Sequence, residues 1–201
     1  MANNVHFSVD FHLINDDAKS KLTEMYTRIR TDGEFQLFGD MFVDQEQVNY
    51  EDVDDGEWST TNLGAKWCYF EEFSENGFNG YAAWRAPEDG MMKLASVLGA
   101  IDKNFVASMT YEDENPNFIG AAVYWGTFCQ DAFEDDDEEI REKVIASSKV
   151  LTSDSWDSDS EDWCDGDAEQ AFNDELWEVM NEAQWEFVME NVNSIKEEVS
   201  S

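Results

Sequence analysis

Lys66 to Ile101, KWCYFEEFSENGFNGYAAWRAPEDGMMKLASVLGAI, is the stretch whose reading decides the fold. Lys66 to Phe73 and Phe78 to Arg85 are strand-like and flank Ser74-Glu75-Asn76-Gly77, where Asn-Gly is a hairpin turn signal. Pro87-Glu88-Asp89 then opens a helix, because proline suits the first turn and acids suit the positive end of the helix dipole. Met91, Leu94, Val97, Leu98 and Ile101 recur at helical spacing and mark the face this helix buries.

Upstream, Val5, Phe7, Val9, Phe11 and Leu13 alternate with polar residues, the pattern of a half-buried strand. Asn15-Asp16-Asp17 supplies an N-cap for a helix over Ala18 to Arg30, with Leu22, Met25, Tyr26 and Ile29 as its stripe. Thr31-Asp32-Gly33 ends it, Gly33 being suited to a left-handed C-cap. Residues 34–62 read as an insertion, with an acidic loop from Glu51 to Glu57. Downstream, Asn104 to Tyr111 is a strand, Asn115-Pro116-Asn117 a turn, and Phe118 to Cys129 another strand. Gly120-Ala121-Ala122 in that strand invites close packing. This order predicts an α+β fold over residues 1–129: a ferredoxin-like antiparallel sheet with one added strand and helices on one face. An acidic linker and a C-terminal helical extension are expected over residues 130–201.

Gly64-Ala65-Lys66-Trp67, Ala83-Trp84-Arg85-Ala86-Pro87, Tyr111-Glu112-Asp113-Glu114 and Phe118-Ile119-Gly120 stand in an order and spacing that resembles the YubB-like ferredoxin-fold family of phage and plasmid proteins. The likeness covers roughly Leu63 to Gly126; Leu63 stands where the family has Trp, and the family's Asn-Trp-Cys opening is absent. It implies a fold and a mobile-element origin, and it transfers no catalytic residues.

Charge is the compositional outlier: 47 acidic against 12 basic residues, a net −35, beside 42% hydrophobic and 14% aromatic residues. The aromatic content is too rich for a disordered chain. So large a negative charge argues against direct binding to nucleic acid or anionic membranes and favours basic partners. Salt adaptation is a rival source of the acidity, which the eight tryptophans fit less well. Cys68, Cys129 and Cys164 form no pair at motif spacing, which points to a reducing host cytoplasm rather than a disulfide framework or zinc site. No leader-like N-terminus and no membrane-spanning apolar run is read.

The negative charge is concentrated late in the chain. From Cys129 onward there are 24 acidic and 4 basic residues, −20 of the −35. Glu134, Asp135, Asp136, Asp137, Glu138 and Glu139 are six consecutive carboxylates. Read as a helix, Asp167 to Lys196 sets Phe172, Leu176, Val179, Ala183 and Phe187 on a core-facing stripe. The same helix sets Asp174, Glu178, Glu182, Glu186 and Glu190 four apart, about 6 Å per step along the axis. That is close to the roughly 7 Å between phosphates on one nucleic-acid strand, from about 3.4 Å of axis per charge plus its helical path. Each step also turns about 40° beyond a full revolution, so the row is a spiral. Like charges at this spacing cost a few tenths of a kcal/mol per pair, so either a solvated face or a demand for charge explains the row. Trp156, Trp163, Trp177 and Trp185 among these acids are candidate interface anchors.

Other chemistry is weakly signalled. His6 and His12 share one strand face without a third metal ligand, and Asp157, Asp159 and Glu161 lack the Gly and the Glu an EF-hand loop requires. No phosphate-binding loop, nucleophile elbow or triad is present, so no cofactor, metal or enzyme activity is expected. Lys21, Arg28 and Arg30 form the one basic cluster and are expected to pair with nearby acids. The expected function is a phage- or plasmid-type DNA mimic that binds and inhibits a basic, nucleic-acid-binding host protein of a nuclease, restriction, CRISPR or other defence complex. The alternative is a phage structural or assembly protein, or a homodimer associating through Leu176, Val179, Ala183 and Phe187, with acidity serving solubility alone.

Overall fold

The computed structural model describes residues 3–30, 36–43, 48–53, 56–114, 117–127, 129–160 and 162–199. Strand β1 (Asn4–Leu13) buries Val5, Phe7 and Val9 and exposes His6, Ser8 and Asp10, as its alternation dictates. Asn15 caps α1 (Asp16–Tyr26), its side chain accepting from the Ala18 amide at 2.9 Å. The helix stops at Tyr26, short of the expected Arg30. Buried Asp40 draws Arg30 away, accepting from its backbone amide at 3.1 Å and from its guanidinium at 3.0 and 2.8 Å. Lys21 and Arg28 both reach Glu24, so the basic cluster pairs with acids as expected. The Gly33 cap, and Asn115 and Pro116 of the expected turn, lie outside the described residues.

The insertion forms β2 (Gln36–Leu37), a 3-10 turn over Phe38–Phe42, α2 (Tyr50–Val53) and α3 (Gly56–Leu63). It contributes to the core: Phe38, Met41 and Phe42 are fully buried. In the stretch expected as an acidic loop, Glu51 to Glu57, the described residues supply most of α2 and the start of α3. Strands β3 (Lys66–Phe73) and β4 (Gly77–Ala83) make the expected hairpin, α4 (Glu88–Ile101) follows, and β5 (Val106–Asp113) and β6 (Phe118–Trp125) pair antiparallel.

Beyond residue 129 the chain holds the expected C-terminal helix, but more than a linker precedes it. This part of the chain supplies β7 (Cys129–Asp136), α5 (Asp137–Ser147), a two-stranded hairpin of β8 (Trp156–Asp157) and β9 (Asp162–Trp163), and the 34-residue α6 (Gly166–Val199). β7 pairs with β6 from Phe118↔Asp136 to Trp125↔Cys129. The result is one antiparallel sheet of seven strands, ordered β2-β3-β4-β1-β5-β6-β7, with six α-helices among the described residues. None of those helices is long and apolar enough to cross a membrane.

Both faces of this sheet carry helices, where one was expected. Ala107, Met109, Tyr111, Ala122 and Tyr124 belong to the main core with α1 and α4. Their alternating neighbours Val106, Ala121 and Val123 pack instead on Val188, Val192 and Ile195 of α6, and Ile119 packs with Ile140 and Val144 of α5. β5 and β6 are therefore sandwiched, whereas β1, β4 and β3 keep one face open. Gly120 makes a close approach within the main core. A Cβ there would stand 2.5 Å from the Tyr111 ring and 2.7 Å from the Phe133 carbonyl oxygen. We expect Gly120→Ala to destabilise the fold by about 1–3 kcal/mol, read as a lower urea midpoint with an unchanged slope.

Candidate functional site

Two rows at spacing four run along α6. Leu176, Met180, Gln184, Val188 and Val192 are buried against the protein. Asp174, Glu178, Glu182, Glu186 and Glu190 stand two residues earlier in each turn, about 200° around the axis, and all five are exposed. Both rows drift by about 40° per step, so the carboxylates stay opposite the contact as it rotates. That contact passes from α5 and Ile119, around Leu176 and Met180, to β5 and β6, around Val188 and Val192. The five carboxylates span roughly 24 Å at 1.5 Å per residue.

The buried row is not the expected stripe. Of Phe172, Leu176, Val179, Ala183 and Phe187, Leu176 alone is buried; the other four are half-buried on the flank of α6 that faces α5 and β7. The stripe is displaced because a polar residue occupies its centre. The Gln184 side-chain amide donates to the carbonyl oxygens of Tyr111 at 3.1 Å and Gly120 at 2.9 Å. These two bonds join α6 to paired positions of β5 and β6 and fix its register on the sheet. Of the apolar surface expected for self-association, Leu176 is used inside the chain, while Val179, Ala183 and Phe187 stay half-exposed.

The run Glu134 to Glu139 does not form a line of charge. Glu134, Asp135 and Asp136 end the edge strand β7, while Asp137, Glu138 and Glu139 begin α5. Asp135 is buried and paired with Lys143. Asp136 caps α5, accepting from the Glu138 and Glu139 amides at 3.0 Å, and Glu139 accepts from the Asp136 amide at 3.0 Å. Asp137 and Glu138 are exposed in the first turn, where the helix dipole favours acids. Much of this run is thus explained by local structure.

The four tryptophans divide in the same way. Trp156 and Trp163 pair across β8 and β9 with ring centroids 5.1 Å apart, and Trp163 stacks on Phe172 at 4.8 Å. The Arg141 guanidinium lies 4.1 Å over Trp156. Both rings are used within the chain, pinning the start of α6. Trp177 and Trp185 remain 42% and 63% exposed on the flank of α6 away from α5. Sequence reasoning also missed Trp67 and Trp84, which are exposed and hold positive φ of 53° and 75° at the open end of the β3–β4 hairpin.

A groove of about 680 Å³ lies between α6 on one side and β7 and α5 on the other. Phe133, Val179, Ala183 and Phe187 form an apolar floor, with Phe133 and Phe187 edge-to-face at 4.9 Å. Glu182, Glu186 and Glu190 form its rim. None of these three has an ion-pair partner among the described residues.

Away from this row, burial acts on a few titratable groups. Burial pushes the Glu88 carboxyl above the usual range; a hydrogen bond from the Tyr111 hydroxyl at 3.3 Å opposes this, and nearby Glu134 adds to it. Burial likewise raises Glu112, against the pull of His6 and Gln184. Burial lowers His12, which shares a 2.8 Å hydrogen bond with Ser108. The buried Cys68 thiol is pushed up to about 12, far from a nucleophilic thiolate. No group of three metal-ligating side chains occurs among the described residues, and Glu161 of the weighed calcium pattern lies outside them.

Neither a protein-family model, nor a curated protein, nor a solved structure matches this chain.

Glu88 carries a pH signature of known sign. A carboxyl raised on folding contributes favourably below its unfolded pKa, and that contribution is lost as pH rises through the folded pKa. Glu88→Gln should therefore raise the urea midpoint at pH 7. The gain should fade as the pH is lowered below the ordinary glutamate value of about 4.3.

Proposed function

We propose that this protein is an acidic decoy of phage or plasmid type, which binds a basic, nucleic-acid-binding host protein and inhibits it by occupying the surface that takes DNA or RNA. The observation that carries the reading is the row Asp174, Glu178, Glu182, Glu186 and Glu190, exposed throughout and held on a helix anchored to the sheet. Five carboxylates at about 6 Å intervals along the axis present charge at a density near that of a nucleic-acid strand. Long-range attraction to a basic surface would raise association rates by factors of about 10–10³ and weaken as salt rises. Trp177 and Trp185, flanking the row, offer short-range contact area. We read β3-β4-β1-β5 with α1 and α4 as a ferredoxin-like core, in keeping with the likeness of residues 63–126 to YubB-like proteins. The host cytoplasm is the compartment in which such targets are met.

Charge reversal tests this directly. Glu178→Lys, Glu182→Lys and Glu186→Lys together should leave the circular dichroism spectrum intact and weaken partner binding by about a hundredfold or more. The measurement is capture of nucleic-acid-binding proteins from a bacterial lysate at about 0.05 M and about 0.5 M salt. Equal capture by the reversed and native proteins would remove the helix row from the mechanism.

A further inference from the structure

A surface that attracts cations by charge alone needs no apolar floor. Beneath Glu182, Glu186 and Glu190 the chain nevertheless leaves Phe133, Val179, Ala183 and Phe187 half-exposed in a groove of about 680 Å³. Those side chains come from β7 and from the flank of α6, so the floor is built by two elements held in register. The one cation lining the groove, Lys143, is already neutralised by Asp135, so the rim keeps its negative charge.

The geometry points to a single basic amphipathic α-helix of the partner as the occupant of this groove. The inference rests on the proposed function and deepens it, naming which element of the basic partner is gripped. Two features single out a helix. The rim carboxylates come four residues apart on α6, so Lys or Arg at i, i+4 and i+8 of a partner helix advance by the same step of about 6 Å. Such a helix places apolar side chains at i+3 and i+7 beside its cations, where they meet Ala183 and Phe187. A phosphate-like readout, by contrast, would use the rim and leave the floor unoccupied.

The test uses the full chain and two labelled peptides of about 18 residues, long enough for measurable helicity in isolation. One carries Lys at i, i+4 and i+8 with Leu at i+3 and i+7; the other has the same composition, scrambled to destroy the stripe. Fluorescence anisotropy at low salt should show the striped peptide binding at least about tenfold tighter than the scrambled one. Ala183→Trp, which fills the groove without changing charge, should remove that preference, while Ser8→Ala on the open face of β1 keeps it. Amide chemical-shift changes on binding should concentrate at Phe133, Val179, Ala183 and Phe187, a readout that does not depend on how any variant folds. Equal affinity for the two peptides, or shifts spread along Asp174 and Glu178 instead, overturns helix docking and leaves the acidic decoy standing. Binding of neither peptide, together with loss of lysate capture by the native protein, sinks both.

Discussion

A net charge of −35 must be held together by burial, and the seven-stranded sheet supplies two faces on which to bury. Self-repulsion at this level favours expansion, and at about 25 cal/mol per Å² of apolar surface a single covered face offsets less of it than two. Here β5 and β6 are covered on both sides, the main core by α1 and α4 and the second by α5 and α6. Acids are displaced to the outside of α6, to the edge strand β7 and to helix starts. An acidic edge has a separate benefit, because it discourages pairing with another chain's strand.

The same helix therefore serves the fold and the candidate site. Each turn of α6 buries one residue and exposes a carboxylate about 200° away, so the burial that stabilises the sheet is what orients the charge. Gln184 matters beyond its two hydrogen bonds. A buried amide left without partners costs about 1–3 kcal/mol, so sliding α6 along its axis would forfeit those bonds. The register of the carboxylates is thereby tied to the backbone of β5 and β6.

How much of this was legible depends on which side chains carried the signal. The alternation of Val5, Phe7 and Val9 was easy to read because β1 has one covered face and one open one. Ile119 to Tyr124 is a continuous apolar run, the pattern of a strand covered on both faces, and it was the available sign of a second helical layer. Much of the cover for that second face, Val188, Val192 and Ile195, lies in α6 near the far end of the chain, beyond any local pattern. The stripe legible on α6 lies one row from the buried one because Gln184 counts as polar until its two carbonyl partners are known. Likewise Asp135, Asp136 and Glu139 look like free charge in the sequence, and their ion pair and capping roles exist only once β7 and α5 have formed. Trp156 and Trp163 read as anchors for a partner, and the anchor they make is internal.

Charge and shape divide the labour at an acidic surface. Attraction between net charges is long-ranged and tolerant of geometry, so it speeds encounter with any basic protein and falls as the Debye length shortens, to about 8 Å at physiological salt. Discrimination among basic proteins needs contacts that a wrong partner cannot make. The row from Asp174 to Glu190 has the first property and little of the second, since carboxylates on flexible stems accept cations from many directions. Half-exposed Phe133 and Phe187 beneath that row have the second, because apolar contact is lost unless the surfaces match. A protein that carried the row alone would be a general polyanion. Coupling the row to a floor of fixed shape is what would turn general attraction into choice of partner, and both are set by the seating of one helix on β5, β6 and β7.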